Sequence, residues 1–366
     1  MTKFEELHAA GQSVWIDYIR RGLITSGELA DLVAEGVRGL TSNPTIFEKA
    51  IAGSAEYDAQ IAGILAADPD TPTAAIFEAL AVEDIRAGAD LLGPVHEESG
   101  GADGHISLEV SPHLAHDPEG TIAEAHRLWA LVDRPNLLIK VPATPQGIPA
   151  IESLTGAGIS VNATLMFSLA DYEAVSHAYL RGLRRAASPE RIASVASFFV
   201  SRVDTKADGA LEKVGSPEAF DLLGTIAVAN AKLAYHRFQE VFSPEAFGDL
   251  AARGAHRQRV LWASTSTKNP AYKDTIYVDD LVGPYTVNTL PPATLDAVRD
   301  HGVVDPAAVT AGVEEAMARV ARLADLGIDF DAITAELQVE GVAAFAGSYD
   351  DLLASIGRKR ETMLLA

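Results

Sequence analysis

The stretch NLLIKVPATPQGIPAIESLTGAGISVNATLMF, residues 136–167, decides the fold. It contains two short apolar runs, 136–144 and 158–167, separated by a longer segment. Runs of this length that are apolar on both faces are typical of parallel strands covered by helices on both sides of a sheet. The stretch therefore predicts a strand–helix–strand unit whose connection crosses over the sheet.

The same alternation extends along most of the chain. Helical spacing of apolar residues separates the runs, as in 27–36, 121–133, 169–186 and 219–242. Eight strands alternating with helices predict a closed (β/α)₈ barrel. The predicted strands are 14–19, 39–47, 105–112, 136–144, 158–167, 192–204, 259–268 and 274–283.

Outside this alternation, we expect extra helices at both ends of a single domain over 1–366. Segment 48–104 is too long for one crossover and predicts two or more helices. The tail 290–366 is predicted to be helical and to pack on the outside of the barrel. An open, doubly wound sheet is the alternative, but the sequence has neither GxGxxG nor GxxxxGK[ST], which disfavours it.

Composition excludes several classes of function. The 366 residues include 29 Lys and Arg against 51 Asp and Glu, a net charge of −22, which disfavours nucleic acid and anionic membranes as partners. The chain has no cysteine, so thiol catalysis and disulfides are excluded. The N-terminal segment lacks the apolar core of a signal peptide, and we expect a cytoplasmic protein. An anionic substrate would need a local group of cations.

Lys140 is the most informative residue, because it lies within the apolar run LLIKVP. A strand-edge lysine that reaches solvent is the simpler interpretation. In a sheet covered on both faces, however, a buried ammonium is costly and requires a reason. Burial favours the neutral amine, which attacks carbonyl groups and forms Schiff bases. We therefore predict that Lys140 is a nucleophile.

Polar residues near the ends of other strands could supply the proton transfers that imine chemistry needs. Glu109 lies in ISLEVSP, Asp17 follows VWI, and Asn162 and Thr164 share one face of ISVNATLMF. Each alone could be a capping residue or a polar rim residue. Because catalytic groups of such barrels collect at the C-terminal end of the strands, the set together favours catalysis.

Five motifs carry a resemblance to a known family: TSNPTIF (41–47), ISLEVSP (106–112), LLIKVPAT (137–144), SVNATLMFS (160–168) and DDLVGPYTVNTLP (279–291). They resemble the transaldolases, in the same order, from about residue 12 to residue 291. With STSTKNP (264–270) and DTIYVDDLVGP (274–284), the chain is similar to the bacterial, actinobacterial-type members. The shorter members that resemble fructose-6-phosphate aldolase fit less well.

The resemblance implies an enzyme of the non-oxidative pentose phosphate pathway that needs no metal and no cofactor. It would transfer dihydroxyacetone from sedoheptulose 7-phosphate or fructose 6-phosphate to glyceraldehyde 3-phosphate or erythrose 4-phosphate. Lys140 would form the Schiff base, Glu109 and Asp17 would move protons, and Thr164 would hold a water with Glu109. The implied substrate-binding residues are Asn43, Asn162 and Ser197 for hydroxyls and Arg202, Ser266 and Lys268 for phosphate.

Two points of detail accompany these assignments. Phe199 has the same strand parity as Ser197, so we expect its ring at the site as well. Lys268 lies in a segment where the family often has an arginine, and a lysine binds phosphate as a point charge without the bidentate fork.

Two other functions stay open at the level of sequence. One is a Schiff-base aldolase that releases dihydroxyacetone to water, and the other is a catalytically silent barrel that binds sugar phosphates. The histidines show no HExxH or related spacing, so a metal site is not expected. The sequence is compatible with a monomer or a homodimer.

Overall fold

The computed structural model describes residues 1–365, and its eight parallel strands form a closed barrel in chain order. The predicted (β/α)₈ barrel is confirmed. The strands β1 to β8 are Gln12–Ile16, Gly39–Leu40, His105–Glu109, Leu137–Pro142, Val161–Met166, Ser194–Phe199, Arg259–Ala263 and Thr286–Leu290.

Helices surround the barrel and extend it at both ends. No helix within the described part of the chain combines the length and the apolar character needed to cross a bilayer. The helices α1 to α17 are Lys3–Ala9, Arg21–Thr25, Glu28–Glu35, Pro44–Ala52, Asp58–Ala67, Thr73–Glu98, Pro118–Val132, Gly147–Gly156, Leu169–Arg185, Ser201–Val214, Pro217–Phe220, Ile226–Val241, Pro244–Ala251, Ile276–Asp279, Pro292–His301, Val313–Asp325 and Phe330–Leu365.

The predicted eighth strand, 274–283, is wrong. Its β-branched residues form the short helix α14, in which Asp279 accepts hydrogen bonds from the hydroxyl of Thr275 (2.8 Å) and from Lys273 (2.5 Å). The strand that closes the barrel is β8, which pairs with β1 and β7. A side chain that bonds to residues four and six positions earlier stabilises a local turn, and this outweighed strand propensity.

Three other predicted strands are too long, and in two of them a helix begins within the predicted range. Strand β2 is only two residues long, and the chain from Pro44 is helical. Strand β6 ends at Phe199 and α10 begins at Ser201, whereas β7 ends at Ala263. Several residues predicted to lie in strands, Arg202 among them, therefore lie on the loops or first helical turns at the C-terminal end of the barrel.

The last helix, α17, does not simply pack on the outside, as the sequence suggested. It crosses the C-terminal end of the barrel and packs against α4, α6 and α10. The amide nitrogen of Gln338 donates to the carbonyl oxygens of Ala143 (3.0 Å) and Leu165 (3.3 Å), at the ends of β4 and β5. Helix α17 thus covers part of the barrel mouth.

At the N-terminal end of the barrel, the buried carboxylate of Asp103 connects β1, β7 and the residue that precedes β2. It accepts hydrogen bonds from Ser13, from Trp15 Nε1 (2.9 Å), from Arg38 Nε (3.2 Å) and from Arg259 Nη2 (3.1 Å). Burial raises the pKa of Asp103, but the charge of Arg259 and hydrogen bonds from Ser13 and Trp15 hold that pKa below its ordinary value. Asp103 is therefore a charged anchor for the start of β1, β2 and β7.

We predict that Asp103→Asn destabilises the protein by about 3 kcal/mol, because two guanidinium groups lose their carboxylate in a largely buried place. Urea unfolding at neutral pH measures this change. Asp325→Asn, at an exposed carboxylate, is the control and should change the free energy of unfolding by no more than about 0.5 kcal/mol. Equal stability of the two variants would contradict the role given to Asp103.

Candidate active site

A cavity of about 440 Å³ opens at the C-terminal end of the barrel strands. Catalytic groups of (β/α)₈ barrels lie at this end. Most of the residues predicted from the sequence line the cavity: Asp17, Asn43, Lys140, Ser197, Phe199, Arg202, Ser266 and Lys268. The other three, Glu109, Asn162 and Thr164, lie behind its wall.

Lys140 is held inside the barrel on β4. Its side chain is 6% exposed, and its neighbours Ile139 and Val141 are fully buried. Its Nζ donates to the carbonyl oxygen of Ser42 (3.2 Å) and lies 3.4 Å from Glu109 Oε2. The lysine therefore does not reach solvent, as a strand-edge lysine would, and its amine faces the cavity.

Glu109 is a buried carboxylate beside this amine. In the register of the sheet it lies next to Lys140 on one side, and Asn162 lies next to Lys140 on the other. Burial raises the pKa of Glu109 to about 7, although the charge of Lys140 opposes the rise. Within residues 1–365, neither carboxylate oxygen of Glu109 has a hydrogen-bond partner of good geometry. Such a group can give and take protons near neutral pH.

Thr164 lies two residues beyond Asn162 on β5. Its hydroxyl is fully buried, and no protein group of the described chain forms a hydrogen bond with it. The strand is irregular here, because its register with β6 shifts between Ala163 and Met166 and Leu165 has a φ of +60°. Polar groups that are buried and unpaired are costly, and they are typical of functional sites.

Asn162 forms a chain of hydrogen bonds across the floor of the site. Its amide nitrogen donates to the hydroxyl of Ser107 (3.0 Å), and its amide oxygen accepts from the hydroxyl of Ser197 (2.7 Å). Asn162 is fully buried, whereas Ser197 lines the cavity. In this structure Asn162 therefore positions Ser197 rather than facing the cavity itself.

Asp17 follows β1 on the opposite side of the mouth. The hydroxyl of Thr41 donates to its Oδ1 (2.7 Å), and the hydroxyl of Thr289 lies 2.6 Å from that of Thr41. Because Thr41 has one proton and gives it to Asp17, Thr289 donates to Thr41. Burial raises the pKa of Asp17, opposed by the charge of Lys140 and the bond from Thr41. Thr41 and Thr289 lie in motifs that the sequence analysis quoted, but it did not select them.

Asn43 has two uses at once. Its side-chain oxygen accepts from the backbone N–H of Ile46 (3.0 Å) and caps α4, which has Pro44 at its first position. This bond fixes the side chain at the cavity wall and leaves the amide nitrogen as a donor.

The cationic side of the cavity lies near β6 and β7. Arg202 is the second residue of α10, so the positive end of that helix dipole also points at the cavity. Its guanidinium lies 5.3 Å above the ring of Phe199, which in turn packs on Phe167 with 5.1 Å between centroids. The Nζ of Lys268 donates to the hydroxyl of Ser266 (2.5 Å). Burial and the charge of Arg202 lower the pKa of Lys268.

Phe345 and Lys49 are two further lining residues that the sequence analysis did not select. Phe345 of α17 lies with its ring centroid 5.6 Å from Lys140 Nζ, and no motif connected this distant helix with the site. Lys49 of α4 lies four residues after Thr45, on the same face of the helix, and both residues line the cavity. Its helical spacing from TSNPT would have placed it near the site, had 44–52 been recognised as a helix.

Comparison with known proteins agrees with this geometry. The model of the family described as Transaldolase/Fructose-6-phosphate aldolase matches residues 14–356. A transaldolase of Thiobacillus denitrificans is 51% identical over 96% of this chain and 99% of its own length. Transaldolase 1 of Streptomyces avermitilis is 50% identical over 96% of this chain and 94% of its own, and a transaldolase of Mycobacterium bovis is 47% identical over 95% and 94%.

These matches cover nearly the whole of the barrel and most of the C-terminal helix that closes its mouth. Together with the buried lysine, they establish that this chain belongs to the transaldolase family.

Proposed function

We propose that Lys140 transfers dihydroxyacetone from a ketose phosphate to an aldose phosphate through a Schiff base. The observation that carries the proposal is the buried amine of Lys140, 3.4 Å from the carboxylate of Glu109 and open to a cavity with cations on one side. Family membership makes the protein a transferase of the pentose phosphate pathway. The donors are sedoheptulose 7-phosphate and fructose 6-phosphate, and the acceptors are glyceraldehyde 3-phosphate and erythrose 4-phosphate.

The first step forms a covalent imine. The neutral amine of Lys140 attacks C2 of the ketose, and a proton from its nitrogen passes to the carbonyl oxygen, which becomes a hydroxyl. Glu109 donates the proton with which that hydroxyl leaves as water, and its raised pKa keeps a large share of it protonated at neutral pH. The unpaired hydroxyl of Thr164 supports this role, because it can hold a water beside Glu109.

The second step breaks the C3–C4 bond. Asp17 takes the proton of the C4 hydroxyl, the C4–O bond becomes a carbonyl, and the electron pair of C3–C4 moves to the iminium. The aldose phosphate leaves, and a three-carbon enamine stays on Lys140. Asp17 must be a carboxylate here. Burial raises the pKa of Asp17, and the charge of Lys140 and the hydrogen bond from Thr41 oppose that rise.

For transfer to occur, the enamine must react with the aldehyde of the acceptor before it is protonated. The rings of Phe199 and Phe345 line the cavity and have no exchangeable proton to donate to the enamine. Helix α17 covers part of the mouth and reduces access of water. Both features support transfer to a sugar, and the relatives that match nearly full length bear the transaldolase name rather than that of an aldolase. An assay of free dihydroxyacetone with fructose 6-phosphate alone separates the two activities.

The cytoplasmic location stays a prediction. It is supported by the strongly acidic, cysteine-free composition and by the class of substrate.

Lys140→Met should abolish turnover, because a thioether cannot form an imine. Reduction with cyanoborohydride in the presence of fructose 6-phosphate should add a dihydroxyacetone-derived mass to the wild-type protein, at Lys140 only, and none to the variant. Lys213→Met, at an exposed lysine, is the matched control and should keep both activity and adduct. An adduct on another lysine would refute the assignment.

The rate of imine formation should fall as pH rises through about 7, because Glu109 must be protonated to release water from the carbinolamine. Glu109→Gln should remove this dependence and lower the rate by about 10² to 10⁴. Single-turnover trapping with cyanoborohydride at a series of pH values measures both effects. If Glu109→Gln keeps the wild-type pH profile, then another group titrates.

Arg202→Ala and Lys268→Ala should each lower kcat/KM for phosphorylated donors, mainly through KM, by roughly 10- to 150-fold. The reason is the loss of a charge-assisted contact with phosphate. An unphosphorylated ketose donor, assayed in parallel, should be much less affected. Equal losses on both kinds of donor would mean that these cations stabilise the structure instead.

A further inference from the structure

Helix α4 brings a further cation, Lys49, to the cavity that Arg202 and Lys268 also line. Thr45, Ile46 and Lys49 lie on one face of α4 and line the cavity. The helix is fixed in place by the cap at Asn43 and by the hydroxyl of Thr45, which donates to Ser348 of α17 (2.8 Å). Lys49 therefore projects from a rigid element.

The three cations Lys49, Arg202 and Lys268 line the same cavity as one carboxylate, Asp17. The positive charges of Arg202 and Lys49 both lower the pKa of Lys268, which places all three within electrostatic reach of one another. None of the three forms an ion pair with a carboxylate within residues 1–365, although the chain has 51 acidic residues. Bringing like charges together costs free energy unless an anion binds between them.

Three cations at different depths can serve two phosphate positions, one for each length of donor. The imine fixes C2 of every donor at Lys140 Nζ. In a seven-carbon donor the phosphate is then one carbon–carbon bond further from the imine than in a six-carbon donor. Arg202 is half-buried, whereas Lys49 and Lys268 are exposed at the rim of the cavity. The longer donor reaches further toward this rim.

From this arrangement we propose that Lys49 contacts the phosphate of the longer, seven-carbon ketose phosphate and sets the preference between donors of different length. Lys268 is shared by both phosphate positions, and Arg202 holds the phosphate of the shorter donor. This inference deepens the proposed function and rests on it.

The test compares Lys49→Gln, Lys49→Arg and wild type with sedoheptulose 7-phosphate and fructose 6-phosphate as donors. The half-reaction is followed by cyanoborohydride-trapped adduct on Lys140, so that no acceptor is involved. Lys49→Gln should lower kcat/KM for the seven-carbon donor by about tenfold and for the six-carbon donor by about threefold at most. Lys49→Arg should keep kcat/KM for the seven-carbon donor near the wild-type value, because it keeps the positive charge.

Two controls separate a contact from a general field effect. Lys213→Gln removes the same charge at an exposed position near the end of α10, away from the cavity lining. This variant should leave kcat/KM for both donors unchanged. Raising the ionic strength should weaken binding of both donors to the wild type while the selectivity of Lys49→Gln persists.

The inference is overturned if Lys49→Gln changes both donors by the same factor, changes neither, or slows an unphosphorylated ketose equally. Failure of the proposed function has a different signature, namely a wild-type protein that forms no adduct on Lys140 with either donor.

Discussion

The contact between the side-chain nitrogen of Lys140 and the carboxyl group of Glu109, inside an apolar barrel, is the one on which the site depends. Neither group would be stable there alone, because burial of an isolated charge costs several kcal/mol. The barrel enforces the pair, since β3 and β4 run in register and place Glu109 beside Lys140. The loop after β2 completes it, because the carbonyl oxygen of Ser42 accepts from the lysine while its hydroxyl donates to Ser107. The two-residue strand β2 is enough to hold the loop that contains Ser42.

The two ends of the barrel handle charge in opposite ways. At the N-terminal end, Asp103 takes four donors and leaves no oxygen unpaired. At the C-terminal end, within residues 1–365, the buried hydroxyl of Thr164 has no hydrogen-bond partner and Glu109 has only the ion pair with Lys140. Leu165 and Ser264 there have left-handed backbones at φ of +60° and +55°. Strain and unpaired polar groups lower stability, and they persist where the surrounding structure over-determines them. The stabilising contacts of Asp103 at the N-terminal end therefore compensate for the stability that is lost at the C-terminal end.

Much of the fold and of the candidate site could be predicted from the sequence, and the physical reasons for this also explain where prediction failed. Period-two alternation around Lys140 and Glu109 identified strands and faces, because buried parallel strands tolerate few polar residues. The same reasoning failed at 274–283, where side-chain bonds of Asp279 favour a helical turn despite four β-branched residues. Helix α17 could not be placed, because its contacts with Lys140 and β5 join residues about 200 positions apart in sequence and leave no local signal.

In the proposed function, the position of α17 also connects phosphate binding with imine chemistry. A Cβ atom on Gly341 would lie 3.0 Å from Leu165 Cδ2 and 3.6 Å from Arg202 Nη1, so the absent side chain lets the helix approach both. One turn further along, Phe345 lies over the amine of Lys140. Helix α17 thus sets the height of the cavity above Lys140 and limits the space around Arg202. Because water is excluded by the same element that confines the substrate, the enamine persists while one sugar leaves and the next binds.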